Sequence, residues 1–385
     1  MKPVWLIGCL MATASLTAQD STVEKVHKLR FSGYIKDLHS FTFNRDYSEV
    51  VTGNLIHNRI NIKYQPIKGF TAALEMRNRL FWGEELAQTP GYVQGLKYPG
   101  ESEDLSITWF EMDNMLLYSN IDRMWAEYAA GKWNVRAGRQ RINWGIGTLW
   151  NPNDIFNTYN FLDFDYEERP ASDAIKGQYL FNNMSNMEIA VARTGDSTNS
   201  TIGALKYFTN KWGYDFQALC GFYLSQPTLG GGWAGSIGNA GFKGEGQYFF
   251  KKDTLDGQLN LMMEADFLFA KGWYVNMGTL LNSEGLDGPF EESDLTTLNL
   301  SPRNPMPTKW NIYAGASKEI TPLFSANLST VFAPGTNLLM VLPSLQYNLA
   351  TNLDIHVVGQ SFFAERSGSF ESMAHRWYLR FKWSF

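Results

Sequence analysis

The sequence has 385 residues, a formal net charge of −5, and 13 Trp, 18 Tyr and 26 Phe in a chain whose mean hydropathy is −0.27. The mild negative charge gives no reason to expect nucleic-acid binding. Beyond residue 18 no apolar run approaches the ~20 residues of a membrane-spanning helix. Cys220 is the only cysteine there, which excludes an intramolecular disulfide. Many aromatic residues in a slightly polar chain are typical of strands that alternate apolar and polar side chains.

The N-terminus predicts a cleaved secretory signal peptide over residues 1–18. Lys2 supplies a basic start, an apolar run follows, and Ala18 offers a small residue for cleavage. The run is too short to span a bilayer. Cys9 follows a tripeptide that resembles a lipoprotein box, but apolar residues continue beyond it, so lipid attachment is the less favoured interpretation. Residues 19–385 show no compositional break and are predicted to form one domain.

The next segments alternate apolar and charged residues along predicted strands. After a strand near residues 28–43, the strand at 54–65 carries Arg59 on the face opposite its Ile residues. The strand at 70–82 likewise carries Arg77 on the face opposite its apolar residues. In a transmembrane barrel this pattern places lipid outside and a polar lumen inside. A soluble β-sandwich alternates too, but such proteins rarely carry so many Trp and Phe without cysteines or regular repeats.

Alternation and turn residues predict seventeen strands in total. The later ones lie at residues 121–130, 133–140, 174–181, 187–193, 201–208, 214–225, 242–250, 258–269, 273–282, 309–319, 323–332, 337–348, 352–363 and 374–385. Bacterial single-chain barrels have an even strand number and short periplasmic turns, so one more short strand is expected within residues 228–240. The predicted fold is all-β: a single transmembrane antiparallel β-barrel of about 18 strands, with 16 as the next choice.

Three long connections, at residues 83–120, 142–173 and 283–308, are expected on the extracellular side. The connection at 142–173 is the richest in sequence signals. It begins with a turn-forming motif and continues with aromatic residues interleaved with charges. The motif residues are Trp144, Gly145, Pro152 and Asp154, and the charged residues are Asp163, Asp165, Glu167, Glu168 and Arg169. Because such a loop would be costly to expose to water, we expect it to fold into the barrel mouth or lumen.

The acids of this loop are expected to face arginines on the lumen side of the wall, namely Arg59, Arg77, Arg79, Arg123, Arg136, Arg139 and Arg141. Opposed charges across a constriction create a transverse field that orders polar solutes and sets ion preference. The same charges also serve simply to pair with one another and hold the loop. Arg139 and Arg141 cannot both alternate with Arg136, so a bulge is expected near Gly138.

The last nine residues place Trp377, Leu379, Phe381, Trp383 and Phe385 on one face and cationic residues on the other. This ending resembles the C-terminal signature of bacterial outer-membrane barrels, which the barrel insertion machinery recognises. The resemblance implies an insertion signal formed by Tyr378, Phe381, Trp383 and Phe385.

A second resemblance lies in the loop and its flanks. The sequences Gly138-Arg139-Gln140, Trp144-Gly145, Pro152-Asn153-Asp154 and Glu168-Arg169-Pro170 are similar to a motif of porin-like outer-membrane barrels from Bacteroidota and Proteobacteria. The resemblance covers a small part of the chain. It implies a barrel with an inserted loop that acts as a passive or weakly selective channel, and it gives no solute.

The function expected from these features is passive diffusion of small polar solutes through an outer-membrane channel that the inserted loop constricts. The expected partners are outer-membrane lipid, the insertion machinery and the solutes. The alternative is a non-transport barrel that binds surface polysaccharide or assists envelope assembly. The scattered histidines lack zinc-site spacing, and no nucleophile elbow is present, so neither an enzyme nor a cofactor or metal is predicted. Trp125 is a candidate for carbohydrate stacking if it faces the lumen.

Overall fold

The computed structural model describes residues 28–385 except 90, 98–100, 166, 196–200, 290–299 and 367, and most of these residues lie in antiparallel strands. The nineteen strands within these residues are β1 (Leu29–Phe43), β2 (Val50–Tyr64), β3 (Phe70–Gly83), β4 (Ser106–Met112), β5 (Met115–Ala130), β6 (Trp133–Gln140), β7 (Ser172–Asn182), β8 (Ser185–Arg193), β9 (Thr201–Lys211), β10 (Tyr214–Tyr223), β11 (Gln226–Ile237), β12 (Ala240–Phe249), β13 (Gln258–Leu268), β14 (Trp273–Asn282), β15 (Trp310–Thr321), β16 (Phe324–Ala333), β17 (Leu338–Ala350), β18 (Leu353–Arg366) and β19 (Ser369–Ser384).

Two short helices, α1 (Glu84–Gln88) and α2 (Tyr92–Lys97), follow β3, and a 3-10 turn at Ala270–Gly272 joins β13 to β14. In the part of the chain that the structure describes, no helix is long and apolar enough to cross a membrane. The predicted signal peptide, residues 1–18, lies outside the described residues.

Eighteen strands close into a barrel because β1 pairs with β19 on one edge and with β2 on the other. Each strand is antiparallel to both neighbours in the ring. The predicted 18-stranded all-β barrel is confirmed. The short strand expected within residues 228–240 is β11, which is longer than predicted and pairs with β10 and β12.

The nineteenth strand, β4, fills a place in the wall that β6 leaves open. On one edge of β5, the residues from Met124 to the strand end pair with β6, while Met115 to Asn120 pair with β4. Residues 83–120 were predicted to be a connection, with the next strand beginning at 121. The β4–β5 hairpin was not predicted, although Asp113-Asn114 between two apolar segments is a turn signal.

The two ends of the barrel differ. The short turns between β2 and β3, β5 and β6, and β17 and β18 lie at the end that holds the first described residue and Phe385. The long connections lie at the other end, because strand direction alternates around the ring.

Alternation separates the two faces of the wall. Apolar side chains such as Leu345 and Tyr347 are exposed on the outside, while polar residues such as Lys36 and Gln247 are fully buried inside. The apolar core is formed where the chain between β6 and β7 meets the inner wall: Trp144 packs among buried alanines, and Trp150 packs near Met262.

Candidate functional site: the inserted loop and the divided lumen

The chain between β6 and β7, residues 141–171, crosses the inside of the barrel and is called the inserted loop below. Its first half contacts β8, β10, β12, β13 and β15, and its second half contacts β18, β19, β1, β2 and β5. The loop therefore touches the wall on opposite sides of the lumen.

Buried wall carboxylates hold the first half of the inserted loop by its backbone. Glu245 on β12 is fully buried and accepts hydrogen bonds from the amides of Ile146, Gly147 at 2.6 Å and Asn153 at 2.9 Å. Glu264 on β13 accepts the amide of Thr148 at 2.8 Å. These amides have no strand partner, so the carboxylates satisfy donors that would otherwise be buried without one. A Cβ at Gly147 would collide with the carbonyl oxygen of Trp150, which makes glycine necessary there.

The motif residues of the loop lie together. The Trp144 indole donates to Glu188 at 3.0 Å, and its carbonyl oxygen accepts from Gln217 at 2.7 Å. Gly145 leaves no room for a Cβ beside Asn151, and Pro152 is buried.

Asp154 is 2% exposed and accepts the amide of Trp144 at 3.4 Å. Burial raises the pKa of Asp154 to about 7; the amide of Trp144 opposes the rise, and the nearby Glu245 adds to it. Arg141, at the start of the loop, has a smaller opposing effect on this pKa.

Asp165 anchors the second half of the loop. Its carboxylate lies 2.8 Å from Nζ of Lys36 and 2.7 Å from Nδ1 of His57, and both partners are fully buried. Burial alone would raise the pKa of Asp165, but His57 and Lys36 hold it well below its ordinary value. The loop is therefore fixed here by a desolvated charge cluster. Asp165 was a predicted site residue, but its partners Lys36 and His57 were not.

Glu167 and Glu168 bind different strands. Glu167 pairs with Arg380 and, at 2.7 Å, with Lys382, both on β19. Glu168 accepts the Tyr34 hydroxyl at 2.7 Å. Burial would raise the pKa of Glu167, but Arg380 and the neighbouring lysines lower it overall.

The predicted wall arginines have several different partners. Arg59 is 1% exposed and binds Asp122 at 2.7 Å and Glu75, while its link to Glu168 is longer, at 3.8 Å. Arg77 lies 3.3 Å from the same Asp122. Arg123 donates to the carbonyl oxygen of Glu168 at 2.5 Å. Wall acids thus take up much of the charge that was expected to face the loop.

The closest contacts of the remaining arginines are with other groups, although Arg79 lines a cavity together with Asp163 and Asp165. Arg79 donates to the carbonyl oxygen of Leu96 at 3.4 Å, and Arg136 bonds to Glu127 at 2.8 Å. Arg169 stacks over the Tyr159 ring, 4.1 Å from its centroid.

Arg139 lies within the wall, so its predicted lumen position is wrong. It pairs with Asp173 at 2.8 Å and caps the carbonyl oxygen of Ile121 at 3.1 Å, where β5 changes partner from β6 to β4. The bulge expected near Gly138 is wrong as well. Gly138 has a φ of 112°, but the register of β6 is unbroken, and the shift falls instead between Glu75 and Met76 on β3.

Two cavities lie on opposite sides of the loop and meet at Asp163 and Phe164, which line both. The upper chamber, 330 Å³, lies toward the end with long connections; its lining includes Arg77, Arg79, Arg376, Tyr92 and Tyr378. The lower chamber, 590 Å³, lies toward the terminal end, between the loop and β15–β19; its lining includes Asn327, Ser329, Ser344, Gln346, Asp354, His356, Gln360, Arg380 and Lys382. The polar residues of this row alternate with apolar residues along β16 and β17. They were not predicted as site residues, because they are uncharged.

Trp125 and the C-terminal residues are placed as follows. The Trp125 ring is covered by Arg136, whose guanidinium lies 4.0 Å from the ring centroid. Trp383 and Phe385 are exposed beside each other, whereas Tyr378 lines the upper chamber. Within the described residues, no group of three or more His, Cys, Asp or Glu is arranged to hold a metal ion.

No protein-family model matches this sequence, and no curated protein matches it significantly. The fold is similar to three solved barrels in particular. Pseudomonas aeruginosa OpdQ has a TM-score of 0.59 at 7% identity over 94% of this chain and 99% of that chain. Pseudomonas aeruginosa OccK5 (OpdH) has a TM-score of 0.58 at 9% identity, over 93% of this chain and 98% of that chain. Acinetobacter baumannii OccAB4 has a TM-score of 0.57 at 8% identity, over 93% of this chain and 99% of that chain. At these identities the similarity concerns the fold.

Proposed function

We propose that the protein is an outer-membrane channel for passive diffusion of small polar solutes, constricted by the inserted loop. The observation that carries the proposal is the pair of chambers that reach Asp163 and Phe164 from opposite ends of the lumen. The apolar outer face suits lipid, and the polar inner face suits water. The fold likeness to the Occ/OprD-family outer-membrane porins also supports it.

Phe164 is proposed as the residue that limits the width of the passage. Its ring lies 5.7 Å from Tyr378 and 6.4 Å from His356, and the Arg380 guanidinium lies 4.3 Å from its centroid. These neighbours belong to β18 and β19, so the ring bridges the space between the loop and the wall. A solute that moves between the chambers has to pass this ring.

The charges proposed to act on solutes are those left at the passage. Asp163 and Glu167 of the loop and Arg380 and Lys382 of β19 all line the lower chamber, and Glu167 pairs directly with both cations. This revises the predicted arrangement, because Arg59, Arg77 and Arg123 are engaged in holding the wall and the loop. A solute would therefore meet a paired cluster of loop and β19 charges beside Phe164.

We also propose that the protein is exported through a cleaved signal peptide over residues 1–18. The insertion machinery is proposed to recognise the segment that ends at Phe385. Trp383 and Phe385 are exposed where a membrane or an insertion factor would meet them. Membership of the porin-like family suggested by the loop motif remains a prediction.

The proposal is tested by single-channel recording of the purified protein in planar bilayers. We expect stepwise conductance that increases in Phe164→Ala, because truncation opens the space between the chambers. Leu345→Ala, on the outer face, is the matched control and should leave conductance unchanged. A folded barrel that stays electrically silent would overturn the channel proposal and favour the non-transport alternative.

A further inference from the structure

We propose that the lower chamber binds neutral, polyhydroxylated solutes of the size of a mono- or disaccharide. The inference rests on the proposed channel function and names its substrate class. It depends on three features of the chamber: the chemistry of its wall, the chemistry of the loop opposite, and the balance of its charges.

The wall of the lower chamber offers hydroxyl and amide groups. Asn327 and Ser329 come from β16, Ser344 and Gln346 from β17, and Gln360 from β18. Hydroxyls and amides both donate and accept hydrogen bonds, as sugar hydroxyls do. A row of such groups can therefore bond to a polyol in several orientations.

Some of these groups remain available for a solute. The Ser329 hydroxyl donates to Asn327 at 3.0 Å, and the Gln360 amide donates to the carbonyl oxygen of Leu162 at 2.9 Å. The side chains of Ser344 and Gln346, in contrast, have no hydrogen-bond partner among the residues that the structure describes. Both are half-buried, so a solute in the chamber would meet them partly shielded from water.

The loop side of the chamber is aromatic. Tyr159, Phe161 and Phe164 line it opposite the polar wall. Sugar rings present a face of C–H groups as well as a rim of hydroxyls, so one face can pack on aromatic rings while the rim bonds to the wall. Apolar and aromatic lining with a few placed polar groups is the usual composition of small-molecule sites, and 590 Å³ lies within their size range of about 300–1,000 Å³.

The charges of the chamber favour a neutral solute. Arg380 and Lys382 are its cations, and both are already bound to Glu167. Asp163 and Asp354 add two further carboxylates to the lining. An anionic solute would find no cation free of a carboxylate and would be repelled by the additional acids, whereas a neutral polyol avoids this cost.

The test adds glucose or maltose to open channels in planar bilayers and records interruptions of the potassium chloride current, with glutamate as the anionic comparison. We expect sugar-dependent interruptions that exceed those of glutamate. The double variant Ser344→Ala/Gln346→Leu should bind sugar roughly ten-fold more weakly, from the loss of two hydrogen bonds, and should keep its open-channel conductance. Tyr347→Phe, on the outer face of β17, should have the sugar affinity and the conductance of the unaltered protein.

Calorimetric titration of maltose into the folded, detergent-solubilised protein separates this inference from the channel proposal. Binding that the double variant weakens supports the sugar site whether or not the barrel conducts. A conducting barrel that binds no maltose, or that glutamate blocks more strongly, overturns the sugar site and leaves the channel. A silent barrel overturns the channel alone if maltose binds, and both proposals if it does not.

Discussion

The two sides of the inserted loop differ in how the wall uses its polar residues. On the side of β1–β5, Lys36, His57, Arg59 and Arg77 are at most 5% exposed and are bound to carboxylates. On the side of β16–β18, hydroxyls and amides line a chamber of 590 Å³. The first side buries its charges in ion pairs, and the wall of the second side is mostly uncharged.

The difference follows from the cost of burying ions. A charge that leaves water must be paired and hydrogen-bonded, which demands fixed geometry and leaves little room for a passing solute. Hydroxyls and amides lose less on partial burial and can exchange partners with water or solute. In this barrel, the buried cations of β1–β5 therefore hold the loop and the wall, and the weakly charged row of β16–β18 lines the lower chamber.

The largest expected effect on this comparison comes from Asp165→Asn. The substitution leaves Lys36 and His57 buried without their carboxylate, and removal of one partner from a buried pair costs about 3–5 kcal/mol. Urea unfolding in lipid vesicles, followed by Trp fluorescence, should show this decrease in the free energy of unfolding. Asp256→Asn is the control, since its pair with Lys251 at 2.8 Å is exposed and should contribute almost nothing. Equal losses in both variants would contradict the anchoring role.

A smaller effect is expected from Glu245→Gln on the opposite part of the loop. The glutamine keeps the shape but loses the charge that accepts three backbone amides, which should cost about 1.5–3 kcal/mol. Hydrogen exchange should become faster at Ile146, Gly147 and Asn153. Glu127→Gln, which affects only the local pair with Arg136, should leave those amides protected. Unchanged exchange in Glu245→Gln would show that packing of Trp144 holds the loop by itself.

A pH dependence should come next in size. Because the pKa of Asp154 is raised to about 7 from an ordinary 3.8, its contribution to stability is present at low pH and is lost as pH rises toward 7. We expect the free energy of unfolding to fall by about 1 kcal/mol between pH 6 and 7, and Asp154→Asn to remove that fall. Titrating histidines are present in both proteins, so the difference between the two curves isolates Asp154. Parallel curves would contradict the assignment.

The smallest effect is expected from Trp125→Phe, which probes the arginine-rich side for a role in solute binding. The ring is covered by Arg136 and lies outside the lining of both chambers. Current interruptions by maltose should be unchanged. If they were lost, the passage would run along the charged side, and the contrast between the two sides would be wrong.

The barrel was predictable because its signals are local. Alternation and turn residues identify a strand within about ten residues. The even strand number of bacterial barrels predicted one further strand, which is β11. The partners of the loop were not predictable in this way. Lys382 was placed on a cationic face, but its partner Glu167 lies 215 residues earlier. Glu245 was missed because its partners are backbone amides, which a search for opposite charges does not find.

The inserted loop also spans the joint where the first and last strands of the ring meet. Asp165 binds Lys36 on β1, and Glu167 binds Lys382 on β19, so consecutive stretches of one loop hold both sides of the closing pair from within. A closed sheet must bring its chain ends together at an entropic cost that grows with the chain between them. The loop contributes binding energy at that joint. Removal of the loop should therefore weaken the β1–β19 pairing that closes the barrel, as well as widen the channel. The segment that narrows the channel thus also contributes to barrel closure.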